Sequence, residues 1–205
     1  MEPLAKALDI LQSDVGMYMG YMLPVLKTLQ KKLQSITNKL TDCQPLITSI
    51  QQGLNKRFST VFEKKKLIIA SCLHPKFKTN WLSGEEKKVA ESYLEDLLGI
   101  RSSDNSPNSP DDDHDDFFNF HQQSTSESEE ELQRFLKSKN SDINLLENFP
   151  KIKKLFIKFN TALPSSASVE RLFSIGNTVL SPFQGHLNDD LMEHQLLLKI
   201  NKKFR

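Results

Sequence analysis

The feature that most constrains the fold is a long stripe of apolar residues at helical spacing in the first part of the chain. Its members are Met22, Leu26, Leu29, Leu33, Ile36 and Leu40. Because the steps alternate between four and three residues, all six side chains fall on one face of a single α-helix. That face must be covered, either by other helices of the same domain or along a coiled-coil seam. The stripe covers fewer than three full heptads, which favours packing within the domain.

More helical patterns follow within residues 1–100. Apolar positions recur at helical spacing over residues 46–62, and Ser83 is placed to cap a helix over residues 84–98. The apolar side chains expected on one face of that helix are Val89, Tyr93 and Leu97. Between these segments, the apolar run 67–70 fits either a strand or a buried helix, and periodicity does not decide between them.

The composition changes sharply at residue 101. Residues 101–131 contain one arginine and ten acidic residues, whereas the regions on either side are mildly basic. Because so few apolar side chains cannot offset the entropy of ordering, we predict a disordered acidic linker. The predicted organisation is therefore a helical region over 1–100, this linker over 101–131, and a third region over 132–205. The aromatic run Phe117–Phe120 inside the linker is a candidate docking motif.

The third region is predicted to be helical as well. A short helix is expected at 132–138, and the pair Phe149-Pro150 precedes a longer one. The side chains expected to face inward from that longer helix are Ile152, Leu155, Phe156 and Phe159. Pro164 ends it, and Ser165 and Ser166 are suitable caps for the next helix. A last amphipathic helix is predicted over residues 188–201.

Residues 162–174 read Ala-Leu-Pro-Ser-Ser-Ala-Ser-Val-Glu-Arg-Leu-Phe-Ser. This stretch closely resembles the signature Pro-Ser-Ser-Ala-x-x-Glu-Arg-x-Phe-Ser, which opens the C-terminal dimerisation region of hAT-family transposases. Phe149-Pro150 is similar to the family's aromatic-Pro pair, and residues 187–201 are similar to its closing helix. Residues 7–12, 20–26 and 73–78 more loosely resemble the family's helical insertion.

The resemblance implies a mainly α fold. It would combine a remnant of the insertion domain with the C-terminal helices of an RNase H-like transposase, without the N-terminal catalytic strands. The departures from the family pattern, such as residues 182–187 in place of its usual arginines, favour a domesticated protein that no longer transposes.

Catalysis in this family implies three carboxylates that hold two divalent metal ions, for which Mg²⁺ is the suitable choice. Two of these acids precede the family's insertion, so only the third matches this chain, at Glu170. We therefore predict no enzymatic activity, no metal site and no cofactor. Glu170 would then be a vestige of ancestry, or a partly buried acid paired with a basic group such as Arg171. The alternative is that a partner supplies the missing aspartates and Glu170 contacts metal.

The predicted function is protein association through residues 149–201, with a second copy or with a related transposase-derived protein. The residues assigned to this association are Leu155, Phe159, Leu163, Pro164, Ser165, Ser166, Ala167, Arg171, Leu172, Phe173, Leu187, Leu191, Leu198 and Asn201. The alternative is DNA binding by the lysines of 64–66 and 151–158, although such lysines are more often solvated helix faces.

The cysteine content and the apolar runs bear on location. Cys43 and Cys72 form no disulfide framework, and the spacing of Cys72 and His74 does not suit a zinc pair. We find no run of about 18 apolar residues and no signal peptide, so no membrane association is predicted. An intracellular location is expected, and the resemblance points to the nucleus.

Overall fold

The computed structural model describes residues 2–13, 15–37, 43–100, 121–179 and 188–201. In these ranges 78% of the residues are helical and no β-strand is present. The mainly α fold class is therefore confirmed, whereas descent from an RNase H-like transposase stays a prediction.

The α-helices of the described ranges, in chain order, are α1 Glu2–Leu11, α2 Met22–Thr37, α3 Gln44–Phe62, α4 Lys65–Cys72, α5 Gly84–Leu98, α6 His121–Lys137, α7 Pro150–Asn160, α8 Ala167–Val179 and α9 Asp189–Ile200. Short 3-10 helices precede α2 at Met19–Tyr21 and α7 at Ile143–Asn148. The apolar run 67–70, which fitted a strand or a helix, lies in α4 and is therefore helical.

Helix α2 buries the stripe that the sequence predicted. Leu26, Leu29 and Leu33 are buried, and Pro24 lies in the first turn, where a missing backbone N–H costs no helical hydrogen bond. Leu40 lies outside the described residues. The stripe packs against α1 and α3, where Ala7 and Ile47 help to form a small core. Packing within the domain therefore accounts for the described part of the stripe.

Helix α5 has the predicted bounds but buries a different stripe. The backbone N–H and hydroxyl of Ser83 donate to the Glu86 carboxylate at 3.2 Å each, and Gly99 ends the helix at φ 69°. Of the three side chains expected to share one face, Val89 is exposed, whereas Tyr93 and Leu97 are half-buried. Ala90 and Leu94 are buried instead, because α4 and α6 pack onto the side of α5 that carries them.

The main core combines residues from both sides of the predicted linker. Its buried members are Ile69, Cys72, Leu73, Ala90, Leu94, Leu132, Phe135, Leu145, Leu146, Phe149, Ile152 and Phe156. They come from α4, the residue after it and α5 on one side of the linker, and from α6 and the segment 145–156 on the other. Part of the region 1–100 therefore shares one core with part of the region 132–205.

The linker prediction is wrong in its last part. Residues 121–131 belong to α6, which continues through the short helix predicted at 132–138. This helix is anchored because Leu132 and Phe135, near its C-terminal end, are completely buried in the main core. Residues 101–120, with the aromatic run Phe117–Phe120, lie outside the described residues.

Candidate association surface

Helices α8 and α9 carry most of the strongly exposed apolar side chains of the C-terminal region. These are Leu163, just before α8, and then Val169, Leu172, Phe173, Leu191, Leu197, Leu198 and Ile200. Phe173 is 67% exposed and Leu198 is 58% exposed. Single exposed leucines are normal on a protein surface, but a concentration of them on two contacting helices marks an interaction site. We call this set the association surface.

Helix α9 has apolar residues around most of its circumference. Leu191 and Leu198 are exposed on one side, Leu197 and Ile200 are exposed on another, and Leu196 is half-buried. A helix that is apolar on several sides is normally covered on several sides. In the described part of the chain α9 packs chiefly against α8, so most of its apolar surface faces outward.

The serines of the signature organise the start of α8. The Ser165 hydroxyl oxygen accepts from the Ala167 N–H at 3.1 Å, and the Ser166 hydroxyl donates to the Glu170 carboxylate at 2.6 Å. These contacts hold the first turn, whose backbone N–H groups need acceptors. The Arg171 guanidinium donates to the backbone carbonyl of Gln12 and so connects α8 to the segment after α1.

The structure divides the predicted association residues into two groups. Leu155 and Phe159 are half-buried on α7 and pack against the main core, because α7 lies between α4 and α6. Leu163, Leu172, Phe173, Leu191, Leu198 and Asn201 are exposed on or beside α8 and α9. Pro164 is half-buried, and Leu187 lies outside the described residues. The exposed candidates are thus restricted to the part of the chain after α7.

Glu170 occupies the first turn of α8 and its side chain is exposed, not partly buried as one alternative required. Its carboxylate accepts from Ser166, as described above. Among the described residues, no three or more His, Cys, Asp and Glu side chains lie close enough together to hold a metal ion.

Several lysines that were candidates for DNA contact have partners within the chain. The Lys65 ammonium lies 3.4 Å from the Asp96 carboxylate and 4.4 Å from the centre of the Tyr93 ring. The Lys153 ammonium lies 2.6 Å from the Glu147 carboxylate. Binding of phosphate by these two side chains would require replacing those contacts.

Sequence reasoning missed a buried polar contact between the two halves of the chain, one before and one after the predicted linker. The Asn160 side chain accepts from the Gly20 N–H at 2.7 Å and donates to the Ala70 carbonyl at 3.0 Å. A Cβ atom at Gly20 would lie 2.5 Å from that carbonyl oxygen, so only glycine permits this approach. No sequence pattern distinguishes Asn160 from an ordinary polar residue at the end of an amphipathic helix.

His74 is a second buried polar residue that the sequence did not single out. Its ring packs against the rings of Tyr18, Tyr21, Phe77 and Phe156. Nδ1 accepts from the Lys76 N–H at 3.2 Å, while Nε2 is buried with no hydrogen-bond partner among the described residues. Burial and the nearby Lys76 ammonium lower the pKa of His74 to about 4.

Comparison with known proteins returns no relative. No protein-family model, no curated protein and no solved structure matches this chain. Membership of the hAT family therefore stays a prediction from the residues quoted above. No helix in the described ranges is long and apolar enough to cross a membrane.

Proposed function

We propose that this chain is a catalytically inactive, domesticated relative of hAT transposases that acts by protein association. Its partner is a second copy or a related transposase-derived protein, and the expected location is the nucleus. The observation that carries the proposal is the exposure of the apolar side chains on α8 and α9. Only part of the proposed region 149–201 contributes to the association surface, since α7 packs in the main core.

The exposed apolar side chains of this surface are the source of free energy for the proposed association. Burying one large apolar side chain contributes about 1.5–3 kcal/mol relative to leaving it in water. Association costs at least several kcal/mol of translational and rotational freedom, so several such side chains must be buried together. Phe173 and Leu198 are the strongest candidates, because they combine large side chains with high exposure.

Light scattering over a concentration series tests this proposal. We expect wild-type protein to approach a dimer mass, and we expect Phe173→Asp and Leu198→Asp to remain monomeric because a carboxylate cannot be buried there without a partner. Val89→Asp on α5 is the matched control, since Val89 is also an exposed apolar residue. A folded wild-type monomer at every concentration would contradict self-association.

The proposed absence of catalysis is tested separately. We expect no Mg²⁺-dependent cleavage of DNA by the purified chain, because only one of the three implied carboxylates matches its sequence. Cleavage by the wild type that disappears in Glu170→Gln would overturn this part of the proposal and support a transposase remnant.

A further inference from the structure

An apolar groove of about 530 Å³ lies between α1, α2, Ser13 and the segments at 15–17 and 76–77. Its apolar lining includes Ile10 from α1, Val25 and Leu29 from α2, and the rings of Tyr21 and Phe77. A cleft of this size and composition is typical of a binding site. The groove is distinct from the association surface on α8 and α9.

The charge of the groove constrains what it can bind. Lys6, Lys32 and Lys76 line it, and Asp9 is the acidic residue among the described lining residues. The Lys76 ammonium lies 5.2 Å from the centre of the Tyr21 ring, at the apolar wall. The complementary ligand therefore carries both apolar groups and carboxylates.

Helix α9 presents such a pattern. Asp190, Glu193, Leu197 and Ile200 follow one another at steps of three, four and three residues, so they form one stripe along the helix. All four side chains are exposed. The stripe has two carboxylates at its N-terminal end and two apolar side chains at its C-terminal end, and it matches the lysines and the apolar lining of the groove.

We propose that this stripe of α9 docks in the groove of a second copy. The inference rests on the proposed self-association and adds a second contact to it, since Leu197 and Ile200 lie on a different side of α9 from Leu198. Each copy would offer both its α9 stripe and its groove, so one two-fold axis would close the pair with both sites filled. The contact from Arg171 to the Gln12 carbonyl places the start of α8 beside the groove-lining Ser13, so the two surfaces are neighbours on one molecule.

Charge reversal in the full chain tests this geometry. The groove variant is Lys6→Glu with Lys32→Glu, and the helix variant is Asp190→Lys with Glu193→Lys. The matched control is Lys31→Glu with Lys56→Glu, since both lysines are exposed on α2 and α3 and neither lines the groove. Sedimentation equilibrium measures the dimer dissociation constant, and circular dichroism reports whether each variant folds.

We expect each reversed variant alone to dimerise at least about tenfold more weakly, because like charges then face each other. The control should dimerise like the wild type. In an equimolar mixture of the two variants we expect heterodimers, in which the α9 of the groove variant lies in the groove of the helix variant. A single chain with all four substitutions should also regain dimerisation. Recovery by complementary charges requires direct contact, which general destabilisation would not mimic.

Three results would overturn the inference. If the groove variant dimerises like the wild type, the groove does not bind α9, although association through α8 and α9 would still stand. If the wild type is a monomer, both the inference and the proposed self-association fail. If both reversed variants dimerise weakly but neither the mixture nor the combined chain recovers, the two surfaces do not meet.

Discussion

Helices α7 and α9 have similar lengths and are both rich in large apolar residues, yet their surroundings are opposite. In α7, Ile152 and Phe156 are buried, since α4, α6 and both 3-10 helices pack against it. In α9, Leu191 and Leu198 are exposed, and the helix packs chiefly against α8. Apolar content alone therefore does not determine burial, because burial also depends on which neighbours the chain supplies.

The two helices also differ in how their apolar residues are arranged. Apart from the exposed Ile157, those of α7 are concentrated on one side, with lysines on the other, so a single layer of neighbours covers them. Those of α9 lie on several sides, so one neighbouring helix cannot cover them all. We infer that the main core around α4 to α7 is stable within one chain, whereas α8 and α9 need a partner.

The largest expected effect comes from replacing one phenylalanine by alanine in the main core and, for comparison, one in the association surface. Phe135→Ala should lower the free energy of unfolding by about 4 kcal/mol, because it empties a completely buried position. Phe173→Ala, at an exposed position, should change it by no more than about 0.5 kcal/mol in the monomer. Urea unfolding at low protein concentration measures both. Equal losses would contradict the distinction between the two regions.

Acid should destabilise the main core through His74. The pKa of His74 is about 4 in the folded chain and its ordinary value is 6.5. Below pH 6.5 the unfolded chain therefore binds a proton that the folded chain does not bind. Stability is therefore unaffected by this group above pH 6.5 and falls between about pH 6.5 and 4, by on the order of 3 kcal/mol in total. Urea unfolding of the wild type and of His74→Phe across this range should show a shallower slope for the variant. Parallel slopes would mean that other groups cause the loss.

Removing the polar contact between the two halves should have a slightly smaller effect. Asn160→Ala leaves the Gly20 N–H and the Ala70 carbonyl buried without their partner, which costs about 2–3 kcal/mol. Asn177→Ala, at an exposed position on α8, is the matched control and should be nearly neutral. Thermal unfolding of both variants measures the difference. If Asn160→Ala were as stable as the control, this contact would not hold the core together.

The smallest predicted effect concerns the start of α7. The Glu131 carboxylate accepts from the N–H groups of Lys151 and Ile152 at 2.9 and 3.2 Å, so a charge on α6 caps the N-terminus of α7. Glu131→Gln keeps one acceptor oxygen but removes the charge, so we expect a loss of about 1 kcal/mol. Glu129→Gln on the exposed side of α6 is the control, and urea unfolding is the measurement. Equal stability of the two variants would show that the charge contributes nothing.

The sequence predicted those elements whose signals are local. Ser83 marks the start of α5, and periodic apolar residues define α2, so these helices needed no tertiary information to be predicted. The start of α6 was missed because its Ser- and Glu-rich first turns resemble a disordered segment, whereas its stability depends on Leu132 and Phe135 in a core formed by distant residues.

The candidate site was only partly predictable for the same reason. The signature residues indicated α8 as part of the site. No local pattern, however, distinguishes Leu155 from Leu198, although Leu155 packs against the main core and Leu198 is exposed. The conformation of Lys78, at φ 48° with its ammonium donating to the Ser138 carbonyl, likewise depends on contacts across the fold.

Hydrogen exchange of the full chain at low and high protein concentration tests the central claim most directly. We predict that the backbone amides of α8 and α9 exchange more slowly as concentration rises, while those of α4 to α7 keep the same strong protection. Slower exchange of the groove helices α1 and α2 would accompany this if α9 docks there. Exchange in α8 and α9 that is independent of concentration would contradict the claim that this surface is where the chain associates with itself.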